Sequence, residues 1–135
     1  MKRLHQALGP GLVESVYETV LAGKLEAIGY AVRRQVQIDI EFEGLHFPAA
    51  CRIDLFVDER LVVEIESLEQ LHPVHAKQVL TYIRLLKQPV GLLLNFGGET
   101  LKEGIRRLVN GHDSLTASAP LREKIDLSTN SIEEI

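Results

Sequence analysis

Apolar residues recur at Val13, Val16, Tyr17, Val20, Leu21, Leu25 and Ile28, a spacing of three and four that predicts a helix from Leu12 to about Ile28, stopped by Gly29. A short apolar and basic stretch around Leu4 to Leu8 precedes it as a candidate helix, broken by the Gly-Pro-Gly at residues 9–11. The period then drops to two, predicting a strand from Val32 to Phe42 and a turn at Glu43-Gly44. Alternation returns on both sides of Asp58-Glu59-Arg60 and predicts a hairpin across Arg52 to Ser67. Pro73 opens a second helix running to about Leu86, because proline suits a first helical turn. Val90 to Phe96 lacks polar alternation, as expected of a strand covered on both faces inside a sheet. The segment from Leu101 to Asn110 suits a helix through Leu101, Ile105 and Leu108, or an edge strand through Ile105, Arg107 and Val109; we take the strand. From residue 111 turn formers take over, so residues 1–110 are expected to form the domain and 111–135 a loosely docked or disordered tail.

The hairpin poses a chemical problem. Alternation puts Ile53, Leu55 and Val57 on one face and Arg52, Asp54 and Phe56 on the other; on the returning strand Leu61, Val63 and Ile65 oppose Val62, Glu64 and Glu66. A three-residue loop pairs Val57 with Leu61, setting Asp54 across from Glu64 and Arg52 across from Glu66. Two carboxylates so placed repel, by a few tenths to about 1 kcal/mol when exposed and by more when buried. Something positive is expected between them.

Composition narrows the setting. A chain of 135 residues that is 45% hydrophobic has the apolar surface for one domain and no room for a second. It contains no run of about 18 apolar residues and no basic-then-apolar leader, so a soluble, cytoplasmic protein is expected, away from membranes. The single cysteine, Cys51, lies among apolar neighbours at an expected strand start and reads as a buried, inert thiol. A net charge of −4 lacks the broad basic footprint of a DNA-coating protein. A local basic rim remains available from Arg33 and Arg34 with Lys102, Arg106 and Arg107, although each pair equally suits ordinary solvated surface.

Other residues point toward the hairpin. Glu14 precedes Tyr17 by three and Leu21 by seven, so it stands at the edge of the buried stripe; an acid there also favours the helix dipole by about 0.3–1 kcal/mol, which explains many such glutamates. His75, Gln78 and Tyr82 share one face of the second helix, where half-buried polar groups must find partners. His72 and His75 have ligand-like spacing, but Pro73 intervenes and His72 precedes the helix, so no soft-metal site is expected. The chain has neither a phosphate-binding glycine loop followed by Lys-Ser/Thr nor a Gly-x-Ser-x-Gly elbow, which argues against P-loop hydrolysis and serine esterase chemistry.

Gly-Leu-Val-Glu-Ser-Val-Tyr at residues 11–17 resembles the signature of the GxxExxY proteins, a prokaryotic branch of the PD-(D/E)XK nuclease superfamily. The resemblance continues through the hairpin, the helix from His72 to Leu86, "GLLLNFG" and "GIRRLVN", covering Leu8 to Asn110 in order. It implies an α/β fold, a mixed central sheet flanked by helices with a restriction-endonuclease-like α-β-β-β-α-β core. It further implies a metal site made by Glu14, Asp54 and Glu64, with Gln78 and Tyr82 of a QxxxY motif lining it. Three acids from separate elements would make an oxygen-rich site for Mg²⁺ or Mn²⁺, which would also relieve the hairpin repulsion.

One position departs from the pattern: where the superfamily has Glu-x-Lys, this chain has Glu64-Ile65-Glu66, reversing the charge. Glu66 then reads as a general base or a second-ion ligand, or as a partner tied to Arg52 in a salt bridge; Lys77 is a candidate for the missing cation, although its direction is a quarter turn or more from the site-facing stripe. Glu66→Lys is expected to preserve the fold and to raise hydrolysis if a lysine role was lost. The expected function is a metal-dependent nuclease-like phosphodiesterase acting on DNA or RNA. The competing reading is an inactive nuclease-fold module that binds nucleic acid or a protein partner. A long exposed sheet edge would also allow a homodimer.

Overall fold

The computed structural model describes residues 1–111 and 129–135. The elements are α1 (Lys2–Leu8), α2 (Glu14–Ala27), β1 (Val32–Phe42), β2 (Leu45–Val57), β3 (Leu61–Glu66), α3 (Pro73–Leu85), β4 (Val90–Asn95), a 3₁₀ turn (Lys102–Gly104), β5 (Ile105–Val109) and α4 (Thr129–Glu134). The strands form one sheet in the order β1-β2-β3-β4-β5. Every neighbouring pair is antiparallel except β3 and β4, which are parallel and joined through α3. No described helix is long and apolar enough to cross a membrane.

Each face of the sheet has its own core. On one side Leu55, Val57, Val63, Ile65, Leu92 and Leu94 pack with Tyr17, Leu21 and Leu25 of α2, with Met1 and with Ile132 of α4. On the other, Phe56, Val62 and Leu93 pack with Val79, Tyr82 and Ile83 of α3. β4 is buried along its whole length because both layers cover it, and β5 forms the edge strand that its alternation predicts. α3 comes so close over β4 that a Cβ on Gly91 would meet Val79 Cγ1 at 2.6 Å and Ile83 Cγ2 at 3.0 Å. Gly91→Ala is therefore expected to destabilise the fold by about 1–3 kcal/mol, read as a lower urea midpoint.

α2 starts two residues later than its apolar pattern suggests, because Val13 is extended and the Leu12 carbonyl accepts a hydrogen bond from Ser67 Oγ at 2.8 Å. Its buried face is narrower than the pattern implies: Val13 and Ile28 are largely exposed, while Glu18 takes an inward position beside Tyr17 and Leu21. Gly29, at φ +104°, ends the helix in the left-handed region as expected. β2 begins well before the quoted hairpin, at Leu45, and pairs with the distal half of β1 as an arm whose residues 45–50 are exposed. Cys51 consequently lies mid-strand and half-buried instead of fully buried at a strand start, and burial still raises its thiol pKa.

Beside the bulge between Ile38 and Ile40, alternation also breaks at Gln35. Its φ of +52° is left-handed, at a cost of about 1–2 kcal/mol for a residue with a side chain, and the β1–β2 pairing passes from Arg34↔Leu55 to Val36↔Ile53 without a Gln35↔Asp54 pair. Both strands change face there. Leu55 and Val57 point toward α2, whereas Ile53 joins Val36 and Ile38 on the α3 side, so the expected common face for Ile53, Leu55 and Val57 is corrected.

The described part of the chain end also adds contacts. α4 buries Ile132, and Lys24 Nζ donates to the Ile135 carbonyl at 2.8 Å. The expected loose tail otherwise falls on residues 112–128, which lie outside the described residues.

Candidate functional site

β2 and β3 pair only at Leu55↔Val63, Phe56↔Val62 and Val57↔Leu61, the register set by the Asp58–Arg60 loop. One step beyond, the strands part, and side chains replace the ladder. Asp54 N–H donates to Glu64 Oε1 at 3.1 Å, and Ile65 N–H donates to Asp54 Oδ2 at 2.8 Å. A fork thus opens between two central strands with an acid on each prong. Because the sheet is open there, α2 on one face and α3 on the other both reach the same space. The Ser67–Leu12 hydrogen bond ties the approach to α2 onto the end of β3, which brings Glu14 beside Glu66.

Glu14, Asp54, Glu64, Glu66, Gln78 and Tyr82 all line one cavity of about 470 Å³ at this fork. Glu64 is 7% exposed, and burial, then the charge and hydrogen bonding of Asp54, push its carboxyl pKa up to about 9. Glu66 is half-buried, and burial followed by the charge and hydrogen bond of Glu14 raises it to about 7, with His75 opposing the rise. The acids therefore sit two by two, Asp54 with Glu64 and Glu14 with Glu66, and in each pair the repulsion adds to burial in favouring a proton on the inner member, Glu64 or Glu66. Among the described residues no three His, Cys, Asp or Glu side chains are drawn together tightly enough to hold an ion as they stand. The donor set is nevertheless all oxygen and rich in charge, the chemistry of a hard divalent cation. A cation would replace protons that burial now forces onto Glu64 and Glu66.

The remaining expectations resolve individually. Gln78 Nε2 donates to the Tyr82 hydroxyl at 2.6 Å, and burial, then the charge of Glu64, raises the Tyr82 pKa. Among the described residues no ion pair joins Arg52 to Glu66; Arg52 is exposed and lines the cavity instead. Lys77 is exposed and does not line it. His75 Nδ1 caps α3 by accepting from the His72 N–H at 3.1 Å, so the His72–His75 pair serves the helix start. The basic residues do not assemble into one rim. Arg33 pairs with Glu59 at 3.0 Å and Arg34 with Glu18 at 2.6 Å, while Lys102, Arg106 and Arg107 lie at the opposite edge of the sheet. Arg106 Nη1 there donates to the Glu103 and Ile105 carbonyls.

Two residues of this site escaped the reading of the sequence. Gln35 donates to Asp54, and Glu18 is the buried acid that accepts from both Gln35 and Arg34. Glu18 carries a legible signal, an acid at spacings of three and seven from Leu21 and Leu25 inside the apolar stripe. Gln35 carries none, since it follows Arg33 and Arg34 as one more polar residue on a largely exposed strand.

No curated protein matches the chain. A solved structure described as "Crystal structure of SSO0001" is similar at 18% identity and a TM-score of 0.48, over 85% of this chain; the chain spans 57% of that protein's length. The family model of the PD-(D/E)XK nuclease superfamily matches residues 1–108. With its mixed five-stranded sheet flanked by helices and its α-β-β-β-α-β order, the chain belongs to the PD-(D/E)XK nuclease superfamily.

Proposed function

We propose that the fork is the active centre of a phosphodiesterase that cleaves nucleic acid with Mg²⁺ or Mn²⁺, held by Glu14, Asp54 and Glu64. The observation that carries this reading is the meeting of all six side chains, contributed by α2, β2, β3 and α3, around one cavity in a nuclease-superfamily fold. When bound, the ion supplies charge that polarises a phosphodiester and makes a bound water more acidic.

The chain's own groups have distinct tasks. Glu66, near pH 7 in its proton affinity, is suited to accept a proton from an attacking water at its carboxylate. The Tyr82 oxygen accepts from Gln78, which leaves the phenolic hydrogen free to donate to a phosphate oxygen. Arg52, unpaired among the described residues and exposed at the rim, offers a cation where the Glu-x-Lys lysine is missing. Four carboxylates line the cavity with it, so the site repels phosphate until a divalent cation enters.

That same excess of acid, with Glu66 in the lysine position, favours the second reading of an inactive module that binds nucleic acid or a partner elsewhere on its surface. The two separate in one experiment. Wild type and Asp54→Ala are incubated with single-stranded, duplex and branched DNA and with RNA, in Mg²⁺ or Mn²⁺. Metal-dependent cleavage by the wild type that Asp54→Ala abolishes, with the melting transition retained, is the expected result. Binding without cleavage, indifferent to Asp54→Ala, establishes the module instead.

A further inference from the structure

Asp54 is gripped from two directions. Its Oδ2 accepts from the Ile65 N–H at 2.8 Å, and its Oδ1 accepts from Gln35 Nε2 at 3.2 Å. Gln35 Nε2 also donates to Glu18 Oε1, so both amide hydrogens are taken by carboxylates. This fixes the amide orientation, because its oxygen turned the other way would face two anions. Glu18 is 5% exposed, and its second oxygen accepts from Arg34 Nε at 3.1 Å and Nη2 at 2.6 Å. Arg34 Nη2 extends the chain to Thr19 Oγ1 at 2.9 Å. A continuous path of hydrogen bonds therefore runs from the surface of α2 through β1 to the tip of the fork.

The backbone of Gln35 is left-handed where the β1–β2 pairing skips the Gln35–Asp54 pair, an interruption separate from the bulge between Ile38 and Ile40. Glycine, asparagine or aspartate would adopt that conformation more readily. The long amide of glutamine is what the left-handed turn delivers to Asp54 and Glu18 together. Strain held at one residue and discharged into contacts with a site acid marks a group kept for placement of that acid.

We propose that Gln35, anchored by Glu18 and Arg34, is a positioning residue that sets the orientation of the Asp54 carboxylate for a divalent cation; this rests on the metal centre proposed above. Gln35 does not touch the ion or the substrate. Its place is that of the outer partners which orient metal-binding carboxylates, whose loss costs about 10–100-fold in metal affinity.

The test is calorimetric titration of Mn²⁺ into wild type, Gln35→Gly and Gln35→Asn, alongside melting curves of the metal-free proteins. Glycine relieves the left-handed backbone and removes the amide; asparagine tolerates the same backbone and keeps an amide one methylene shorter. Mn²⁺ affinity is expected to fall at least about 10-fold in Gln35→Gly and by less in Gln35→Asn. The metal-free melting temperature of Gln35→Gly is expected to stay level or rise, which a merely structural residue would not allow. Unchanged Mn²⁺ affinity in Gln35→Gly overturns the positioning role and leaves the metal centre standing. So does a loss of affinity matched by a collapse of the metal-free melting temperature. A wild type that fails to bind Mn²⁺ overturns the metal centre, and the positioning role with it.

Discussion

Glu64→Gln is expected to leave a folded protein that has lost divalent-cation binding and at least about 99% of any cleavage activity, a larger loss than removing an outer partner of a metal produces. The reason is the same burial that raises its carboxyl pKa to about 9. At neutral pH the metal-free site already holds Glu64 in a neutral form, so a neutral amide of the same shape resembles the side chain it replaces. It cannot, however, give up a proton and become a charged ligand.

The sign of the pH dependence follows. A carboxyl whose folded pKa of about 9 lies above its ordinary 4.5 binds a proton more tightly in the folded state. Its contribution to stability is complete below about pH 4.5 and is lost as pH rises through about 9, on the order of 1 kcal/mol for each pH unit inside that window. Metal-free wild type is thus expected to melt at falling temperature from pH 5 to pH 9, more steeply below about pH 7, where Glu66 titrates as well. Glu64→Gln should flatten most of that slope. Mn²⁺ should raise the wild-type melting temperature most at alkaline pH, where no proton has to be displaced, and should not raise that of Glu64→Gln. Thermal melts across the pH range, with and without Mn²⁺, check all of these, and a wild-type curve level between pH 5 and 9 would contradict a protonated Glu64.

Glu66→Lys is expected to lower cleavage by about 10²–10⁴-fold, the contribution of a general base, while raising the melting temperature of the metal-free protein near pH 8. The substitution places an ammonium beside Glu14 and Asp54, the two carboxylates that now help raise Glu66 to about 7. An attraction there replaces a repulsion, and Glu64 also becomes easier to ionise. The acceptor for a water proton is nevertheless gone. Single-turnover cleavage at saturating Mn²⁺, with melting curves on the same preparation, separates the two effects. Increased cleavage would show instead that the site lacks the cation of the superfamily's Glu-x-Lys pattern and that Glu66 contributes no base.

The two variants bear on different parts of the fork. Glu64 lies inside the sheet, between strands and against Tyr82, so its substitution reports on the ion. Glu66 lies at the strand end, half-buried and within reach of Glu14 and His75, so its substitution reports on the proton. If the protein is an inactive module, neither variant changes nucleic-acid binding.

Much of this site was legible before any coordinates. Alternation placed β1 at Val32–Phe42, its absence placed β4 inside the sheet, and Pro73 located α3 to within a residue, because each signal is local to the segment it describes. The loop at Asp58–Arg60 fixed the hairpin register, and with it the approach of Asp54 to Glu64, since a one-residue slip would turn Leu55 and Val63 away from the core and the three-residue loop selects Val57↔Leu61 among the rest. The resemblance then joined Glu14, Gln78 and Tyr82 to those acids. What the chain could not announce was the sign of φ at Gln35, the face change it imposes on Ile53, or the start of β2 at Leu45, whose residues show no alternation because the arm is solvated on both faces. Nor could it show that Arg34 is spent on Glu18 instead of a nucleic-acid rim, or that Arg52 stays clear of Glu66. Local pattern records which way each residue faces along its own strand or helix. Which remote side chain waits there, and whether it brings a proton or a charge, is decided only when the sheet brings α2, the hairpin and α3 to one point.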